Sequence, residues 1–557
     1  MKITRLLPFA LLAVAHGLMA QQLPGSGSQL MQVPAAPVPR PAMPAIEVKP
    51  GPAAPSPEAR ADTVKIVVNS LRVTGARAYT EAELLAVTGF TPGSELSLTE
   101  LRAMAARIAD FYHRNGYFIA QAYLPAQDIK DGVVTIAVID GRYGQITLRN
   151  QTNVSSDLAN GLLRGLNSGD IVASGELESH LLLLSDLPGV NVRSTLVPGA
   201  AAGTSDLMVD MDPGRKISGS VDADNAGNRY TGEYRVGLTV NLNEPTGHGD
   251  VASLRVVTSG AGLNYARASY ELQVDKARLG VSLSGLHYKL GREFASLDAH
   301  GTAYVASVYG IYPLIRSRTS NLYTELQYDE RKFQDVVGST STTTDKRAHV
   351  LLASLFGDHR DNFARGGVSS FALTGSAGQL DIQTPAARAV DAATARSNGH
   401  YAKLAYSATR LQGVTDAVSL YGSINGQVAS KNLDISEKLQ LGGMYGVRAY
   451  PTGEAPADEG YVVSLEARLA LPRLYERMAS QVQLVAFYDI GRVTVNAKPW
   501  APGNNSRTLS GAGVGLVWSA TNDFLVRMYY ARKLGSGVAT SAPDRSGRFW
   551  IQAIKYF

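Results

Sequence analysis

Between residues 215 and 557, apolar and polar side chains alternate with a period of two, in runs of about ten to fifteen residues divided by turn-forming positions. In residues 234–242 the apolar set is Tyr234, Val236, Leu238, Val240 and Leu242, opposed by Arg235, Gly237, Thr239 and Asn241. Residues 461–469 set Tyr461, Val463, Leu465, Ala467 and Leu469 against Ser464, Glu466 and Arg468, and residues 524–530 set Phe524, Val526, Met528 and Tyr530 against Arg527. Charge falls on one face only, the face that a water-filled lumen tolerates and lipid does not. Sixteen such runs are counted, near positions 216, 232, 250, 263, 278, 302, 320, 347, 367, 400, 416, 460, 480, 508, 523 and 547. The even number suits closure, so the pattern predicts a transmembrane antiparallel β-barrel of 16 strands over residues 214–557, with a soluble β-sandwich as the competing reading. The longest stretch without strand alternation, residues 431–459, predicts one long loop.

Upstream the pattern becomes α+β. Residues 63–142 predict a strand (64–73), a short helix (81–87), a second helix and two strands (120–124 and 133–139). The second helix follows the capping-box sequence Ser97-Leu98-Thr99-Glu100 and places Leu101, Met104, Ala105, Ile108, Phe111 and Tyr112 on one side. The same order recurs over residues 143–213, a repeat at a spacing of about 75 residues: strand 145–149, helices 155–166 and 174–187, strands 191–197 and 206–210. Each unit offers an exposed strand edge beside a helix, which suits an extended peptide added as a strand. Residues 21–62 are rich in proline and read as a linker that builds no core, and residues 29–32 are too few to hold a helix alone. Residues 1–20 read as a secretory signal: Lys2 and Arg5, an apolar stretch, then Leu18-Met19-Ala20.

Composition narrows the class. With 55 glycines, 26 tyrosines, 18% charged residues and no apolar run long enough for a spanning helix after the N-terminus, a helical membrane protein is excluded. The absence of cysteine removes disulfides, thiolate metal sites and thiol nucleophiles together. A net charge of +5 without a basic stripe gives no reason to expect a nucleic-acid partner. Nine scattered histidines show no ligand spacing, and no Gly-x-Ser-x-Gly elbow occurs, so neither metal, cofactor nor enzymatic activity is expected. Asp358-His359-Arg360-Asp361 reads as a tight barrel turn, and the alternate glycines Gly511, Gly513 and Gly515 read as strand positions relieving a crowded lumen.

Two short stretches carry the candidate site. In Phe487-Tyr488-Asp489-Ile490-Gly491 the strand period puts Phe487, Asp489 and Gly491 on the face opposite Leu484, Ala486, Tyr488 and Ile490. If the apolar face meets lipid, Asp489 points into the lumen, where a carboxylate needs a partner. Arg448, in Val447-Arg448-Ala449-Tyr450 of the long loop, offers a bidentate guanidinium. An ordinary surface loop, or a lumen salt bridge without a gating role, are the bland readings of the same residues.

Taken together, these stretches resemble the outer-membrane transporters of two-partner secretion in the Omp85 superfamily, over essentially the whole chain after the signal. Tyr117-Phe118-Ile119-Ala120-Gln121-Ala122-Tyr123-Leu124-Pro125 with Gln127-Asp128, Asp131-Gly132 and Val138-Ile139-Asp140-Gly141 resembles the close of a first POTRA domain (63–142). Leu183-Leu184-Ser185-Asp186-Leu187-Pro188-Gly189-Val190 resembles part of a second (143–213). Val447, Arg448 and Tyr450 resemble the V-R-G-Y tip of the family's sixth extracellular loop, and Phe487, Asp489 and Gly491 its F-x-D-x-G strand. The resemblance implies that the loop folds back into the barrel and that Arg448 pairs with Asp489. It also implies a pore without ATP, POTRA domains in the periplasm that bind the N-terminal secretion domain of a large exoprotein (haemolysin, adhesin or contact-dependent toxin), and insertion into outer-membrane lipid by the barrel assembly machinery. Ala449 departs from the family's glycine and would be strained if that position needs positive φ. Some members plug the pore with an N-terminal helix, and residues 21–62 are the region where one would lie, although they show no helical period. A barrel assembly factor and a diffusion porin are the alternatives; the first usually carries more than two POTRA repeats and the second needs none.

Overall fold

The computed structural model describes residues 23–39, 45–48, 64–472 and 480–557, so the stretch 1–20 that reads as a secretory signal lies outside the described residues. The chain enters through α1 (Ser26–Met31) and β1 (Ala45–Val48). The first α+β unit follows as β2 (Lys65–Val68), β3 (Ser70–Thr74), α2 (Glu81–Thr88), β4 (Ser94–Ser97), α3 (Leu98–Arg114), β5 (Gln121–Tyr123) and β6 (Val133–Ile139). The single strand expected over 64–73 is two. At Asn69 the chain changes sheet, its N–H and that of Ser70 both turning to the Gly132 carbonyl, so β2 pairs with β4 while β3 joins β6. Ser97 and Glu100 cap α3 reciprocally, each bonding the other's backbone N–H. Leu101, Met104, Ile108 and Tyr112 then pack on Val134, Ile136 and Val138 of β6. Tyr112 donates to buried Asp140 at 2.8 Å, and burial followed by that bond pushes its phenol well above the ordinary range.

The second unit comprises β7 (Arg142–Asn150), α4 (Ser156–Leu162), α5 (Ser174–Ser185), β8 (Val190–Pro198) and β9 (Thr204–Pro213). Its sheet has four strands in the order β1-β8-β9-β7. The edge expected to stand open is therefore covered: β1 runs parallel along β8, and Ile46 packs on the unit's core. The first unit keeps β5 as an edge, paired on one side to β6.

The barrel begins with β10 (Ile217–Asp224), β11 (Arg235–Asn243), β12 (Val251–Thr258), β13 (Leu263–Val274) and β14 (Ala277–Lys289). It continues with β15 (Ala299–Arg316), β16 (Ser320–Val337), β17 (Thr342–Asp361), β18 (Gly367–Ile382), α6 (Pro385–Ala393) in a loop, β19 (Gly399–Gly413) and β20 (Val418–Ala429). The last strands are β21 (Glu459–Ala470), β22 (Ser480–Thr494), β23 (Ser506–Ala520), β24 (Phe524–Lys533) and β25 (Gly547–Tyr556). All sixteen pair antiparallel with their sequence neighbours, and β10 closes the ring against β25 through Ser220–Asp224. Leu238, Leu254, Leu283, Tyr304 and Leu326 stand exposed on the outer wall, a surface that lipid stabilises and water does not. Asp358–Asp361 proves to be the end of β17 rather than a turn, because its ladder with β18 runs on to Asp361 opposite Gly367. Lys555, on the outer face of β25, is ion-paired to Asp523 of the turn before β24.

The second unit is joined to the rim where the barrel starts. Arg316 forks onto Asp186 with two bonds of 2.7 Å, and the Ser155 N–H bonds the Gly247 carbonyl of the turn between β11 and β12. Inside the barrel, toward the other end, lies α1, against β14, β15, β16 and the 3-10 turn Ile435–Glu437. A six-residue helix is unstable by itself, which is why the sequence carries no readable helical signal there. The barrel supplies the missing stabilisation: the Ser26 N–H bonds Asp335 at 2.7 Å, Thr231 bonds Gln29 at 2.7 Å, and Arg235 bonds the Gln32 carbonyl at 2.6 Å.

Candidate functional site

The loop between β20 and β21, residues 430–458, folds into the lumen rather than over its mouth. Its tip is a compact reversal: the Val447 N–H reaches back to the Leu441 carbonyl at 2.7 Å, the Tyr450 N–H closes a turn on the Val447 carbonyl at 3.0 Å, and Gly443 takes a φ of 113°. Val447, Ala449 and Tyr450 are fully buried. Ala449 is not among the described residues with positive φ, so the departure from glycine brings no backbone strain.

The tip brings Arg448 onto Asp489. The guanidinium donates Nε to Oδ2 at 2.8 Å and Nη2 to Oδ1 at 2.7 Å, and the Arg448 backbone N–H adds a third bond to Oδ2 at 3.0 Å. Asp489 is fully buried and Arg448 nearly so. A second carboxylate, not singled out from the sequence as a partner, completes the pairing: Glu466 accepts Nη1 at 2.7 Å and is itself held by Arg468. Its position on the wet face of residues 461–469 was the available signal, since β21 and β22 put Glu466 directly opposite Phe487.

Neighbouring residues fix the geometry. The Phe487 ring lies under the guanidinium, 3.5 Å from Cζ to its centroid, with Tyr529 on another side at 5.0 Å. Trp550 of β25 bonds the Arg448 carbonyl at 2.7 Å, and the Tyr450 hydroxyl bonds the Gly537 carbonyl at 3.1 Å. The wall is hollowed to receive the tip. A Cβ at Gly491 would stand 2.9 Å from Leu441, one at Gly511 would strike the Ala449 methyl, and one at Gly513 would lie 2.5 Å from the Phe487 ring. These glycines are empty space into which loop and aromatic side chains fit. Further along the loop, fully buried Glu454 accepts from four donors, the backbone N–H and hydroxyl of Thr540 and of Ser541, and pairs with Arg507 at 2.7 Å, joining the loop to the segment between β24 and β25. Beside Arg448 opens a cavity of about 370 Å³ lined in part by Tyr421, Arg468, Arg527 and Tyr529.

A closed sixteen-stranded antiparallel barrel with an apolar outer wall, preceded by two α+β units and holding its longest loop inside by a buried arginine, is a transmembrane β-barrel. The family described as haemolysin secretion/activation protein ShlB/FhaC/HecB matches residues 203–518, and the POTRA domain, ShlB-type, matches residues 66–141. The heme/hemopexin transporter protein HuxB of Haemophilus influenzae (strain 86-028NP) is 31% identical over 474 residues, 84% of this chain and 82% of that protein. The outer membrane transporter CdiB of Dickeya dadantii (strain 3937) is 24% identical over 379 residues, 64% of this chain and 63% of that one. Among solved structures, CdiB from Escherichia coli superposes with a TM-score of 0.68 at 20% identity, covering 90% of this chain and 93% of that chain. BamA from Haemophilus ducreyi lacking POTRA domains 1–3 gives 0.53 at 15% identity over 88% of this chain and 100% of that one, a likeness of fold alone. The chain belongs to the haemolysin secretion/activation family: it is a two-partner secretion transporter of the outer membrane with its POTRA domains in the periplasm.

Proposed function

We propose that the barrel conducts its partner exoprotein outward as an unfolded chain, without ATP. In this reading the POTRA domains capture the partner's N-terminal secretion segment as an added strand, and Arg448 with Asp489 and Glu466 holds the loop tip to the wall while the chain passes. Folding of the partner outside gives the movement its direction. One observation carries this reading: the protein's own N-terminal segment already occupies the path, with α1 inside the barrel and β1 added to the POTRA sheet. The route therefore accommodates a polypeptide, and β8 accepts an extended strand. A partner strand at β8 takes the place of β1, whereas the β5 edge of the first POTRA domain pairs only with β6 among the described residues.

HuxB is a heme/hemopexin transporter protein by name, so a partner connected with heme or hemopexin is the first cargo to test, ahead of a CdiB-type cargo. Secretion of that partner is measured for the parent and for Arg448→Ala and Asp489→Ala variants that insert normally. Secretion should fall sharply in both; full-rate secretion by both refutes the role given to the pair. Deleting residues 64–212 should abolish secretion, since a pore that needed no recognition would keep its physiological role.

A further inference from the structure

The loop of residues 430–458, here loop 6, is held at a second place, on a different stretch of wall from Arg448. Glu437, only 4% exposed, sits in a socket of donors: Arg331 of β16 reaches Oε1 at 2.6 Å, Tyr401 of β19 donates to the same oxygen at 2.8 Å, and Lys403 of β19 meets Oε2 at 2.7 Å. Gln427 of β20 and Lys403 both bond the Glu437 carbonyl, at 2.9 and 3.2 Å. Three residues earlier, Asp434 pairs with Lys346 of β17 at 2.8 Å. Three strands thus converge on Glu437, and a fourth holds Asp434 immediately before the turn Ile435–Glu437.

That turn is what α1 rests on. At Gly27 a Cβ would lie 2.5 Å from Ser436 Cβ and 2.9 Å from its Cα, so helix and turn touch with no room for a side chain. On its other side α1 is held to β16 through Ser26 and Asp335. A helix this short keeps its form only while docked. We infer that Glu437 is a positioning residue for α1: its socket fixes the turn Ile435–Glu437 as the seat of the helix, and clearing of the lumen goes through this socket rather than through the Arg448 pair. Loss of the Glu437 charge leaves the half-buried Lys403 without its carboxylate and Arg331 with Asp329, so the turn is no longer drawn to the wall and α1 loses the surface beneath Gly27. The inference rests on the barrel being the conduit, yet seating of the helix can be read without any partner.

The chain has no cysteine, so one introduced thiol reports alone. Ser26 is fully buried and its Oγ makes no hydrogen bond, so Ser26→Cys removes no interaction. The rate at which a membrane-impermeant maleimide labels this cysteine on intact cells measures how often α1 leaves its seat. Barrel folding is checked by heat-modifiable gel migration, and partner secretion is scored on the same cells. Relative to Ser26→Cys alone, adding Glu437→Gln should raise the labelling rate about tenfold or more. Glu437→Asp, which keeps the charge, should restore part of the slow labelling, and Arg448→Ala should leave the rate within about twofold of the parent. Gly27→Val, which strikes Ser436 without touching the socket, should also label fast, and it decides the matter if Glu437→Gln fails to insert. Labelling of Gly27→Val at the parent rate, labelling of folded Glu437→Gln at the parent rate, or equal acceleration by Arg448→Ala overturns the inference. A parent that secretes no partner counts against the conduit reading instead, whatever the labelling shows.

Discussion

The two anchors of loop 6 are built with opposite polarity. At the tip one cation, Arg448, lies between two carboxylates and against two aromatic rings. At the turn Ile435–Glu437 one carboxylate lies among an arginine, a lysine and a phenol, and the N-terminal helix rests on the adjacent Ser436. The tip anchor draws its acids from the neighbouring strands β21 and β22 and fits into glycine hollows, so it is local and rigid. The other spans from β16 to β20 and faces a removable element. A loop built this way can keep its tip fixed while its other end changes with the state of the lumen.

Breaking the tip should have the largest effect. Arg448→Ala strands Asp489, which is fully buried, and unpairing a buried charge costs about 3 to 5 kcal/mol. Arg448→Lys should rescue little, because an ammonium cannot reproduce the fork onto Asp489 together with the bond to Glu466. The temperature at which the folded barrel loses its heat-modifiable migration reads both variants, and an Arg448→Lys barrel as stable as the parent would show that fork geometry is not what holds the tip.

The glycine hollows give a smaller effect at the same anchor. Gly511→Ala puts a methyl where the Ala449 methyl already is, and overpacking of this kind costs about 1 to 3 kcal/mol. Ala449→Gly in the same background should recover most of the loss, since it empties the space in dispute. A double variant no more stable than Gly511→Ala would show that the two residues do not share that space.

Much of this comparison could be read before any coordinates, and the part that could not has a physical reason. Strand alternation survives in a barrel because every residue faces either lipid or lumen, so the sixteen runs stood out even where they carry charge. Arg448 and Asp489 could be brought together because one lies in the single long gap between strands and the other is an acid on the wet face of a strand. Glu437 carried no such mark, because an acid in a loop reads as a solvated charge until residues of three strands, β16, β19 and β20, close around it. The helix at Ser26–Met31 was equally hidden, its bonds reaching to Thr231, Arg235 and Asp335, some two to three hundred positions away. The split at Asn69 escaped for a related reason, since it depends on the carbonyl of Gly132.

The smallest effect sharpens the comparison by supplying its contrary case, a buried acid without a cation. Glu244, in the turn between β11 and β12 that meets the second α+β unit, has neither a cation nor a side-chain donor at its carboxylate among the described residues. Burial, then the charge of neighbouring Asp250, pushes it up to about 7. The sign follows from proton binding: between the ordinary carboxylate range and that value, the folded protein holds a proton that the unfolded chain has released. Stability at this joint is therefore full in acid and declines as pH rises toward 7. Glu244→Gln keeps the shape without the charge, so its apparent unfolding temperature should exceed that of the parent at about pH 8 and match it at about pH 4.5. His248 lies in the same turn in both proteins, so the difference between them isolates Glu244. A difference that does not change with pH would mean that Glu244 is paired at this joint after all, as the acids at the two anchors are.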